Sequence, residues 1–168
     1  SNLEFRRGNV MHPPFEDESL DAIVNAFTLH EIYSGSRSAE QAVRNMLRMH
    51  FSLLRPGGLM FVQDYLCPSY DGFVLLEIDD GPGRQGPSAA ENLVWYSEHA
   101  YPAQDPASGG FYLEERPPRF PRTRLFRLPF KWALEFILRP QDRMGLEQTI
   151  HCEYTCFTRT DFRKEMRN

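Results

Sequence analysis

Cysteine is scarce, with Cys67, Cys152 and Cys156 the only three. That number excludes a disulfide-stapled secreted domain, and the cytoplasm is the expected compartment. Long apolar runs are missing too. No stretch approaches the ~18 residues of a membrane helix, and no charged-then-apolar leader opens the chain. Neither sign of charge dominates, since 19 basic and 23 acidic side chains leave a net −4. With 41% hydrophobic residues, disorder is excluded as well. Metal-ligand spacing is absent. His30-Glu31 would need a second histidine four residues on, where Ser34 stands, and His151, Cys152 and Cys156 have no fourth ligand nearby. No metal is expected. A nicotinamide dehydrogenase is excluded in its Tyr-x-x-x-Lys form, because Tyr154 is followed four residues on by Thr158.

What the chain does have is an uneven texture. Its 168 residues are natural for one domain with a real core. Charge, however, is distributed as −2 over residues 1–65, −8 over 66–115 and +6 over 116–168. The last third can attract nucleic acid or can pair with the acidic middle. The first third alternates strands and helices. Asp21-Ala-Ile-Val-Asn-Ala-Phe27 is a short apolar run that suits a buried parallel strand. Ser38-Ala-Glu-Gln41 matches a capping box, and Val43, Met46, Leu47, His50, Phe51 and Leu54 recur at helical spacing behind it. Pro56-Gly57-Gly58 stops that helix, and Leu59-Met-Phe-Val62 resumes as a second buried strand. Leu3-Glu-Phe-Arg6 reads as one more short strand.

After residue 66, nine of the thirteen prolines fall between Pro82 and Pro140. Proline at that density predicts an irregular stretch without a long helix or a central strand. Within it Ser88–Ala100 and Pro129–Leu138 read as helices, and Thr158-Arg-Thr-Asp161 as a further helix start. The predicted divisions are 1–66, 67–150 and 151–168.

Four segments in order carry a resemblance: Gly8-Asn9-Val10, Glu18–Val24, Leu29-His30-Glu31, and Leu54-Arg-Pro-Gly-Gly-Leu59 followed by a strand ending in Asp64. Over about Phe5 to Tyr65 the chain resembles the class I S-adenosylmethionine-dependent methyltransferases. The resemblance implies an α/β fold, here an incomplete Rossmann-like sheet. Residues 1–66 would be its central part, 67–150 a Pro- and aromatic-rich lid or insertion, and 151–168 a return to the α/β domain.

In such sheets ligands sit outside the carboxyl ends of the strands. The resemblance therefore implies S-adenosylmethionine as cofactor, held by Gly8, Asn9, Val10, Asn25, Ala26 and Phe27. Gly8 lets the backbone pass close to a flat ligand, Asn9 offers a side-chain acceptor to an adenine amino group, and Val10 offers an apolar face. Where the family usually has Asp, Asn9 keeps the acceptor oxygen and loses the charge. A plain turn is the other reading of Gly8-Asn9. His30 is the candidate catalytic proton acceptor, or a packing group at a helix start. Glu31, Asp64 and Tyr65 are candidate substrate contacts. His50, on the apolar stripe, reads as a core histidine.

The family's glycine-rich loop after its first strand, and the acidic residue ending its second, do not occur here. Two functions of different class follow. One is methyl transfer to a small-molecule or RNA acceptor, with residues outside this chain completing the cofactor site. The other is an inactive methyltransferase-like binding or dimerisation module. A homodimer or a partner chain completing the sheet fits either. Arg116, Arg119, Arg122, Arg124 and Arg127, interleaved with Phe120 and Phe126, carry the RNA alternative.

Overall fold

The computed structural model describes residues 4–82, 86–100 and 111–167. It divides into two compact units, Ser1–Tyr65 and Leu66–Asn168.

In the first unit β1 (Leu20–Ala26) is followed by α1 (Leu29–Ser34), α2 (Ala39–Ser52) and β2 (Leu54–Gln63). β1 and β2 run parallel, with Val24 beside Phe61 and Asn25 beside Val62. The apolar run and the helical stripe thus form the expected strand–helix–strand unit. The register jumps from Leu20/Leu54 to Ala22/Leu59, so residues 55–58 bulge out. Gly57 turns the bulge at φ +85, and a Cβ on Gly58 would come within 3.1 Å of the Asp21 carbonyl oxygen. Pro56-Gly57-Gly58 therefore shapes the strand rather than the helix end. Arg55 clasps Asp21 across it through both guanidinium nitrogens, at 2.9 and 3.0 Å.

Several expectations change here. Neither strand is buried on both faces. α2 turns Val43, Met46, Leu47 and His50 inward, but the opposite face of the ribbon is open, with Val24 70%, Leu59 59% and Phe61 57% exposed. Two strands covered on one side cannot give the two-sided burial of a parallel sheet. Ser38 precedes α2 but its side chain makes no capping bond, and Gln41 Nε2 donates to Asn45 Oδ1 at 2.7 Å. Phe51 is exposed, and Leu54 already belongs to β2. Residues 4–6 form no strand, for lack of a neighbour with which to pair, and Leu3 lies outside the described residues.

The second unit holds a sheet where an irregular stretch is expected. β3 (Phe73–Asp79), β4 (Glu114–Arg116) and β5 (Thr123–Pro129) form an antiparallel sheet of order β3–β5–β4. Proline does not prevent the central strand because Pro117, Pro118 and Pro121 precede β5 and Pro129 ends it. Helices α3 (Ala89–His99), α4 (Phe130–Ile137) and α5 (Arg143–Thr149) enclose a core with it. Leu93, Tyr96, Phe126, Leu128, Phe136 and Leu146 lie at its centre. Ser88 and Glu91 complete a capping box on α3. Thr158 and Asp161 complete another on α6 (Arg159–Glu165), which fits the helix start read there. Just before α6 the chain meets its own earlier course. Cys67 N–H donates to Phe157 O at 2.7 Å, and Cys67 pairs with Thr158.

Acidic middle and basic end are joined by ion pairs. Arg124 reaches Glu115 at 2.7 Å, and Arg116 and Arg127 reach Glu114 at 2.6 and 3.4 Å. The hydrogen bond from Arg124 holds the Glu115 carboxyl below its usual pKa range.

Candidate functional site

The carboxyl tips of β1 and β2 lie side by side, and Asn25, Ala26, Phe27, His30, Glu31, Asp64 and Tyr65 collect there, whereas Gly8-Asn9-Val10 lies beside the last turn of α2, toward the amino ends of the strands. Phe27 continues the ladder by one bond, its N–H donating to Gln63 O at 2.8 Å. It does so at φ +53, a left-handed conformation that is costly for a bulky side chain. The Phe27 ring then packs 5.0 Å from that of Tyr65, which lies 5.8 Å from His30. Ala26 is exposed on the open face of the ribbon. Asn25 points to the helix-covered side and is buried, and its Nδ2 has no hydrogen-bond partner. A buried donor left unpaired costs about 1–3 kcal/mol.

Asp64 ends β2 and is turned inward, with its side chain 2% exposed. One oxygen accepts the N–H groups of Leu29 and His30 at 2.7 and 3.2 Å. It thereby satisfies the start of α1, where Thr28 supplies no side-chain cap. The other accepts from Tyr65 N–H at 2.8 Å and His30 Nδ1 at 2.7 Å. Burial pushes the Asp64 pKa up. The bonds from the His30 ring and the Tyr65 amide outweigh that, so the carboxyl is held below its usual range. Both Asp64 oxygens are thus engaged by N–H groups of the chain itself, one of them on the His30 ring. His30 is buried at the first turn of α1, and its Nε2 lies 3.4 Å from the Glu31 carboxylate.

The loop at Gly8-Asn9-Val10 is held in place by bonds that the sequence pattern did not disclose. Asn9 Oδ1 accepts Met11 N–H at 2.9 Å, and Asn9 O accepts His12 N–H at 2.9 Å. The acceptor expected to face adenine therefore first closes its own turn, which leaves one lone pair of that oxygen. His50 is more than a core histidine, because its Nε2 lies 2.9 Å from Val10 O while its Nδ1 is buried without a partner. Nε2 carries the proton in that bond. His50→Leu is expected to free residues 8–12 at a cost of about 1 kcal/mol, whereas His50→Gln retains a donor. Amide exchange at Met11 and His12 would report the difference. Equal protection in both variants would remove His50 from the support of this loop.

With this geometry in hand, residues 1–62 match the model of a family described as a methyltransferase domain. The match covers 62 of the 168 residues, and over that segment the chain is similar to this family. No curated protein and no solved structure matches it. The matched segment is a mixed α/β unit, and it covers every candidate cofactor residue as well as His30 and Glu31. Asp64 and Tyr65 follow two and three residues after its end. A cavity of about 460 Å³ lies at the opposite, amino end of its strands, lined by Asp17, Glu18, Phe51, Ser52 and Arg55 among others. Ligands of doubly wound sheets sit at the carboxyl ends, so this cavity is set apart from the candidate site. Among the described residues no group of three His, Cys, Asp or Glu could hold a metal ion, and no helix is long and apolar enough to cross a membrane.

Proposed function

We propose that residues 25–27 at the strand tips form one wall of a site for S-adenosylmethionine, and that the protein transfers its methyl group to a small molecule. The observation that carries the reading is the buried, partnerless Nδ2 of Asn25 at the paired strand tips. Such a donor suits the carboxylate of an amino-acid moiety. When bound, S-adenosylmethionine supplies an already activated methyl group, so the protein's task is alignment and exclusion of water.

His30, with Nδ1 fixed by Asp64, is the proposed group that takes a proton at Nε2 from a hydroxyl acceptor, with Glu31 and Tyr65 on the acceptor side. Choice of acceptor is the proposed role of residues 67–150, the lid or insertion, on the strength of their aromatic content. A small molecule is favoured over RNA because Arg116, Arg124 and Arg127 are already paired with carboxylates. The open face of the β1–β2 ribbon favours a site completed by residues outside this chain, or by a partner chain. A count of three cysteines suits the cytoplasm.

Calorimetric titration with S-adenosylhomocysteine tests the site. Asn25→Leu keeps the shape and removes the orphan donor. It is expected to leave stability unchanged or raised while weakening affinity about tenfold. Unchanged affinity would remove Asn25 from the site. Binding only by a form extended at its amino end would support completion from outside. Lack of binding by both forms would favour an inactive binding module.

A further inference from the structure

The outer edge of β3 carries a second surface, independent of the cofactor reading. The ladder between β3 and β5 pairs residues whose numbers sum to a constant, from Phe73/Pro129 to Asp79/Thr123 without a bulge. Two bonds just beyond its ends set its phase: Phe130 N–H donates to Gly72 O at 2.8 Å, and Asp80 N–H to Arg122 O at 2.9 Å. In antiparallel sheets such bonded pairs alternate with unbonded ones. The even-numbered residues of β3 therefore bond to β5, and Pro129, which has no N–H, falls opposite Phe73 at an unbonded position. Phe73, Leu75, Glu77 and Asp79 direct their N–H and C=O groups away from β5. Among the described residues no strand pairs with them.

This edge lacks the usual defences. It has no proline, lysine or bulge within the strand, and Phe73 and Leu75 are exposed along it. Its one central charge is drawn away. Glu77 Oε1 accepts from Arg119 N–H at 2.8 Å, Phe120 N–H at 2.9 Å and the Thr123 hydroxyl at 2.7 Å, all on the β5 side.

We propose that this edge pairs with the same edge of a second copy, antiparallel about a twofold axis at Leu76. The β3–β5–β4 sheets then join into one sheet of six strands. That register places the outward-bonding residues opposite one another, with Leu75 facing Glu77 of the other copy and Phe73 facing Asp79. No carboxylate lies directly opposite another. Val74, Leu76 and Ile78 continue the apolar inner face across the junction, with Leu76 meeting its own counterpart. Arg127, whose guanidinium lies 3.9 Å above the Phe73 ring, occupies the face onto which Asp79 of the other copy is brought. An axis at Glu77 would set like charges face to face, so the register at Leu76 is the one selected.

Sedimentation of the full chain and three variants at one position tests both pairing and register. The wild type is expected at twice the monomer mass. Leu75→Pro removes an outward N–H without touching the ladder to β5, and it is expected to sediment as a monomer with unchanged circular dichroism. Leu75→Glu sets a carboxylate against Glu77 of the other copy and is expected to be monomeric as well. Leu75→Lys forms an opposite-charge pair there and is expected to remain a dimer. A monomeric wild type, or a dimer that survives Leu75→Glu, overturns the proposal. If Leu75→Lys dissociates with Leu75→Glu, the register at Leu76 is wrong.

Discussion

Asp64→Ala is expected to lower the unfolding free energy of the first unit by about 3 kcal/mol, the largest loss from any single change there. Four N–H donors converge on this carboxylate, and two of them are amides at the start of α1. Alanine leaves all four without that acceptor in a part-buried place. Asp64→Asn keeps an acceptor oxygen and loses the charge, so a smaller loss is expected. The carboxyl is held below its usual range in the folded state. Its contribution is therefore fully present above the unfolded value of ~3.9 and lost as pH falls through the lower folded value. Chemical denaturation at a series of pH values checks this. The gap between wild type and Asp64→Asn should be constant near neutrality and close in acid below that value. A gap that widened in acid would show that the carboxylate is not stabilised by its donors.

Glu135→Ala should be the corresponding lesion in the second unit, with an expected cost of about 3–5 kcal/mol. Glu135 and Arg139 lie one helical turn apart and are both buried. The carboxylate accepts from Arg139, from Tyr154 N–H at 3.1 Å and from Thr155 N–H at 2.6 Å. It thus ties residues 154 and 155 to α4. Arg139 in turn lies 4.4 Å above the Tyr154 ring and 5.1 Å above that of Tyr96, and it donates to Cys152 O. Removing Glu135 strands a guanidinium in this core. Replacing both partners, as in Glu135→Leu with Arg139→Met, removes the stranded charge and should cost less than Glu135→Ala alone. Urea unfolding of the single and double variants would test the coupling. Additive losses would show that the two residues stabilise the unit independently.

The legible parts of the fold were those in which one local pattern agreed with its surroundings. The apolar run before Phe27 and the stripe through Val43, Met46 and Leu47 lie where their periods put them, and their parallel pairing followed from the short connections. Burial was not legible, because it depends on what covers the second face of the ribbon, and local pattern carries no trace of that. The sheet of the second unit was obscured by its own punctuation. Prolines crowd the approach to β5 and close it, so a sound strand between them reads as loop. Phe73-Val-Leu-Leu-Glu-Ile-Asp79 does not alternate cleanly, since Leu75 and Leu76 adjoin but face opposite ways. At the site, residue types were legible and their partners were not. Asp64 and His30 are 34 residues apart in sequence, and His50 and Val10 are 40 apart. Only the folded chain brings each pair within one hydrogen bond.

The pairing of Cys67 with Thr158 has a further corollary. Everything between these positions leaves and rejoins the polypeptide across the width of a single backbone bridge, roughly 5 Å. A stretch closed at its base in this way can change in length without displacing the two residues that join there.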